Sequence, residues 1–334
     1  MNKKTKYTYI YISITLLAVL AIIAAFSIGA VRISVKEISD ILFLGKETDN
    51  RGILMDIRLP RVVLAAVIGF GLACVGGVLQ GIFQNPLVDS YTLGMSSGAA
   101  LGAVISIVAG IDLHFVWLSG TGLFAFFGAL LTLFAVFALT GTGGRRSMDS
   151  LLLAGVAMSY FLASVISFLM LLNKDKIEHV VFWTMGSLSL ASWEKAIYAM
   201  ALILPSALIL MYFARELNMM SLGDENAGHL GLNVKLVKNT ILVFSAIIVA
   251  TVVSAGGTIA FVGLVAPHII RILGCNDNKH LIPLSGILGT VLLVTSDLLG
   301  RTLIQPMEIP VGVMTSILGG PFFIYLLRKR KKTI

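Results

Sequence analysis

The run VVLAAVIGFGLACVGGVLQGIF at positions 62–83 carries no charged side chain, and it is bounded by Arg61 on one side and Gln84-Asn85-Pro86 on the other. About 20 mostly apolar residues in a helix suffice to cross the roughly 30 Å hydrocarbon core of a bilayer, so this stretch reads as a membrane span. Comparable runs lie at 10–28, 93–109, 115–139, 151–172, 196–213, 239–253, 281–303 and 311–327, with a shorter one at 265–273, which makes ten crossings. Backbone N–H and C=O groups find no water in lipid, and runs of this length do not suit barrel strands. The expected fold is therefore all-α: a polytopic membrane protein of about ten transmembrane helices, with 1–334 as one transmembrane domain.

Composition agrees. Apolar residues make up 57% of the chain and charged ones 13%, with a mean hydropathy of +0.95, far from the values of soluble domains. Lys3-Lys4-Thr5-Lys6 and the apolar run after it resemble a signal peptide, but the run is long enough to span and is read as a retained first helix. An even number of crossings puts both termini on one side, and the basic ends, Lys3 to Lys6 and Arg328 to Lys332, assign that side to the cytoplasm. The net charge of +8 thus reflects topology and anionic headgroups, and implies no nucleic-acid partner. Two cysteines, Cys74 and Cys275, form neither a disulfide framework nor a metal knuckle.

Small residues mark where helices touch. Gly69, Ala73, Gly77 and Gly81 are spaced four apart on the second span, as are Gly94, Gly98, Gly102 and Ser106 on the third, giving smooth stripes for close packing. Between the first two spans, Ser34 with Glu37 forms a capping box opening a short amphipathic helix to Leu44 on the outer surface. The outer connection 174–192 holds Trp183, and Trp193 follows it at interface depth. The inner connection 216–238 contains a second capping pair, Ser221 with Asp224, and a helix stop at Gly231. A short helix there is suited to pass force from a soluble partner.

Catalytic signatures are missing. Gly141 to Arg146 lacks the lysine and the preceding strand of a phosphate loop, and no metalloprotease pair, nucleophile elbow or Cys/His cluster occurs. Asp297 and Arg301 share a helix face near the end of the ninth span and read as an intrahelical pair, while His268 reads as a structural histidine beside a helix break at Pro267.

Taken in order, Arg58-Leu-Pro-Arg61, Gln80 to Leu87, Leu93 to Ala100, Leu151 to Gly155, the Ser221 to Leu232 loop, Phe261 to His268, Asp297 to Arg301 and Ile309 to Gly312 resemble a known family. It is that of the (FecCD-like) type II ABC importer permeases for iron-siderophores, haem and cobalamin. The resemblance implies a dimer with a second permease copy or paralogue, ABC ATPase subunits beneath, and an extracytoplasmic substrate-binding protein outside. It also implies a bacterial cytoplasmic membrane location. Carried over by position, Arg58, Arg61 and Arg301 would meet acids on the binding protein. Ser221, Leu222, Gly223, Asp224, Glu225, Ala227, Leu230 and Gly231 would form the coupling helix, and Asn85, Leu87, Ser147 and Met148 the cytoplasmic gate. Gly228 departs from the family, where an arginine or other large residue is common. The chain would not be an enzyme and would hold no cofactor, ATP and Mg binding in the ATPase. The rival readings are an ion-coupled transporter, with Asp297 as its proton or sodium site and the broken region at Gly256-Gly257 to Pro267 as its binding region, and an intramembrane enzyme using His268 and Asp297.

Overall fold

The computed structural model describes residues 3–111, 113–115, 118–140 and 148–330, and these are helical almost throughout. The elements are α1 (Lys3–Ser27), α2 (Val35–Leu44), α3 (Leu59–Ile82), α4 (Met95–Ala109), α5 (Gly120–Leu139), α6 (Met148–Leu172) and α7 (Ile177–Thr184). Then follow α8 (Trp193–Tyr212), α9 (Ala214–Met220), α10 (Asp224–His229), α11 (Val234–Gly256), α12 (Val262–Ile272), α13 (Asn278–Gly300) and α14 (Val311–Arg330). A minimal ladder, β1 (His114–Phe115) with β2 (Leu118–Ser119), lies between α4 and α5. Among the described residues seven helices are long and apolar enough to cross a membrane, and α4, α12 and much of α14 are shorter apolar helices. Together they match the ten apolar segments of the sequence, and the fold is the expected all-α polytopic bundle.

The centre of the bundle is α3, buried along most of its length. A Cβ at Gly69 would overlap the Gly289 carbonyl, and one at Gly76 the Gly263 carbonyl, so α3 touches α13 and α12 backbone to backbone. Lipid tails are as apolar as leucine, so such close contacts hold helices together where the hydrophobic effect cannot. The second stripe works the same way, with Gly98 against Thr132 and Gly102 against the Phe124 carbonyl, pressing α4 onto α5.

Two ends can be told apart. At the terminal end, Tyr11 Oη on α1 lies 3.4 Å from His280 Nδ1 on α13, and Asn218 Nδ2 of α9 donates to Asp277 Oδ1 at 2.7 Å. The far end gathers the close of α1 and α13 and the start of α3, α8 and α14. There the Trp193 indole donates to the Met55 carbonyl at 3.0 Å, which fixes this tryptophan to the bundle. Helix α2 forms where expected and carries the serine half of the box: Ser34 Oγ accepts from the Glu37 N–H at 3.2 Å, while Glu37 Oε1 accepts from Asn50 Nδ2 at 3.0 Å; Ile38 and Ile41 are buried, and Phe43 and Leu44 are exposed.

The broken region expected between Gly256-Gly257 and Pro267 is present, and its break falls at the glycine end and not beside Pro267. That residue lies inside an unbroken α12, and the chain unwinds earlier, at 257–261, where Gly257 has φ 71° and Phe261 φ 68°. A side chain at Gly257 would also strike the Trp183 carbonyl, so the turn needs glycine on two counts.

Candidate functional site

Arg58, Arg61 and Arg301 converge at the far end, Arg58 closing a π-helical turn (Ile53–Arg58) that leads into α3 and Arg301 capping α13. Their exposures are 4%, 8% and 9%, and each has an acceptor within the fold. Arg61 places Nη2 2.9 Å and Nε 3.0 Å from Asp297 Oδ1, and Nη1 3.0 Å from Glu308 Oε2. Arg58 donates to the Phe26 and Val31 carbonyls, and Arg301 donates to the Ala25 carbonyl. The three share one end of the bundle, and there they sew α1, α3 and α13 together.

The expected Asp297–Arg301 pair is secondary. Arg301 Nε lies 3.9 Å from Asp297 Oδ2, beyond hydrogen-bond reach, whereas Arg61 forks onto the same carboxylate. Glu308 is the residue that sequence reasoning missed. It stands in the connection between α13 and α14 and accepts from Ser189 Oγ at 2.8 Å. Partial burial works to raise its carboxyl, but the Ser189 hydrogen bond and the Arg61 charge outweigh this and hold it below the usual carboxylate range. The group therefore stays ionised at neutral pH, and its contact with Arg61 is lost only as pH falls through that lowered value.

At the terminal end the connection 216–238 holds two short helices, α9 and α10, where sequence spacing predicts one. Ser221 does not open α10. Its Oγ donates to the Asn218 carbonyl at 2.6 Å and closes α9, while Gly223, with φ 102°, precedes α10 without a side-chain cap. Asp224 is instead paired with Lys238, a nearly buried lysine of α11. Ala227 is buried, Leu222, Glu225 and Leu230 are exposed, and Gly231 ends the segment with φ 87°. A helix of fewer than two turns is thus pinned by one ion pair and one buried methyl, with the leucines that flank it in the open. A Cβ at Gly228 would meet nothing within 4 Å, so Gly228→Ala should stabilise α10 by about 1 kcal/mol. Slower amide exchange at residues 224–230 in the isolated subunit would check this; unchanged exchange would contradict it.

Of the residues expected at the gate, Asn85 and Leu87 meet, the Leu87 N–H donating to Asn85 Oδ1 at 3.0 Å. Leu87 also lines a cavity of about 990 Å³ shared by Gln80, His268, Arg271, Asn278 and Tyr325. Met148 opens α6 on a different element, and Ser147 lies outside the described residues. His268 faces this cavity at the terminal end, while Asp297 is buried at the other end against Arg61. Asp297 does not line the cavity that His268 faces, and no group of metal ligands occurs among the described residues.

Comparison with known proteins gives a consistent result. The model of the FecCD transport family matches residues 16–329. The hemin transport system permease of Yersinia pestis is 40% identical over 282 residues, covering 84% of this chain and 84% of that protein. The cobalamin import system permease of Halobacterium salinarum is 40% identical over 275 residues, covering 82% of this chain and 73% of its own. A solved inward-facing structure, described as a metal-chelate type ABC transporter, superposes with a TM-score of 0.85 at 30% identity, covering 96% of this chain and 99% of the other.

Proposed function

The chain belongs to the FecCD transport family of ABC transporter permeases, transport proteins rather than enzymes, and from that premise we propose that it moves an iron-siderophore into the cytoplasm. In this reading the far end faces outward and receives a loaded binding protein. The terminal end faces the cytoplasm, where a separate ATPase binds ATP and Mg and presses on α9 and α10. A second permease, identical or paralogous, completes the pathway. Helix α6 supports that part of the reading, since it is the least buried of the seven long apolar helices and leaves Leu153, Tyr160 and Phe161 uncovered.

The observation that carries the proposal is α10: an exposed helix, braced by Lys238 against a membrane-spanning helix, can transmit a push instead of absorbing it. The ion-coupled alternative fares worse. Asp297 accepts two guanidinium N–H groups from Arg61, and a carboxylate so neutralised is a poor site for a sodium ion or a travelling proton.

Ligand choice is tested by uptake in a strain lacking this chain. Restoring the chain should restore uptake of labelled ferric hydroxamate and leave hemin and cobalamin uptake unchanged. Restored cobalamin or hemin uptake with no gain in iron-hydroxamate uptake would contradict the assignment.

A further inference from the structure

Among the described members of the far-end network, four are buried and one reaches solvent. The buried ones are Arg58, Arg61, Asp297 and Arg301; the Glu308 side chain is 41% exposed against 3% for Asp297. The network therefore shows the outside an acid, although three of its five charged groups are cationic. Arg61 has two faces. Its Nε and Nη2 are turned inward to Asp297, and its Nη1 is turned toward Glu308 at 3.0–3.2 Å. The same connection to α14 leaves Leu303, Ile304 and Met307 exposed, apolar groups of the kind that an interface covers.

We infer that Glu308 is a built-in competitor for docking: it holds the place on Arg61 that a carboxylate of the binding protein takes, and docking exchanges one carboxylate for the other. This rests on the reading that a binding protein docks at the far end. The exchange is physically cheap because Arg61 is never left unpaired. Its Nη1 passes from one acceptor to another of the same kind, and the displaced Glu308 moves into water, where it is already two-fifths exposed. The same step at Arg58 or Arg301 would strip the buried Phe26 or Ala25 carbonyl of α1 of its donor.

The arrangement has two consequences. With no partner present, the guanidinium keeps its counter-charge and the network stays intact. With a partner present, part of the docking energy goes into releasing Glu308, so the binding protein is held less tightly and can leave after delivery. The displaced group lies on the connection leading into α14, so docking also frees that connection.

The test uses the assembled transporter in lipid nanodiscs and, as probe, the substrate-binding protein of its uptake system. Glu308→Gln keeps the side-chain volume and a group for Ser189 to bond, and it should bind the probe about tenfold more tightly, since one charge-assisted contact no longer has to be broken. Removing a surface negative charge could tighten an acidic partner at long range, so a second variant is needed. Ser189→Ala takes away the hydrogen bond that anchors Glu308 and alters no charge. It should shift binding the same way, by about threefold. Unchanged or weaker binding by Glu308→Gln overturns the exchange, and so does tightening by Glu308→Gln with none by Ser189→Ala. If the wild-type transporter itself does not bind the probe, the docking reading falls, and the exchange with it.

Discussion

Replacing Asp297 by alanine should destabilise the bundle by about 3–5 kcal/mol, because it leaves an uncompensated cation in a low-dielectric interior. Asp297 is 3% exposed, and it is the partner onto which Arg61 forks. With it gone, Arg58, Arg61 and Arg301 face one another at the far end with Glu308 as the acid that remains in the network. Removing both partners is a different experiment. The double change Arg61→Leu with Asp297→Leu takes away the charge and its desolvation cost together, and it should recover most of the loss. Thermal melts of the detergent-purified assembly would compare the three. A single Asp297→Ala variant that melts with the wild type would mean that the fork between α3 and α13 contributes nothing.

The second large effect is expected at the other end. Leu222 and Leu230 flank α10 and are exposed, which is costly for a loop that has no partner and natural for one that docks. Anchors of this kind are worth about 2 kcal/mol each, so changing both to aspartate should weaken binding of the ATPase roughly a thousandfold in Kd. The bundle itself should be untouched, since neither side chain packs in its core. Co-purification and ATPase affinity would report the loss, and a normal melt would show that the subunit is folded. Full ATPase binding by the double variant would contradict coupling through α10.

What could be read from the sequence follows the range of each interaction. Local patterns carried through: apolar runs became helices, Ser34 with Glu37 became a cap, and glycines four apart became contact faces. Ser221 with Asp224 misled because a serine between two short helices can serve either. Here its hydroxyl closes α9, a seven-residue helix with too few turns to show a period. The fork of Arg61 onto Asp297 joins residues 236 apart, and no spacing rule reaches that far; the i,i+4 pair with Arg301 was the nearest pattern available. Glu308 was invisible for the same reason. Its role comes from Arg61 and Ser189, which approach it through the fold and not along the chain.

The central claim is that a separate ATPase drives this helical bundle through the α9 and α10 connection. The most direct measurement is uptake of labelled ferric hydroxamate into proteoliposomes holding the permease alone, with the binding protein supplied outside, or the permease with its ATPase and ATP sealed inside. Accumulation is expected in the second preparation and not in the first. Accumulation by the permease alone, driven by a proton or sodium gradient, would contradict the account.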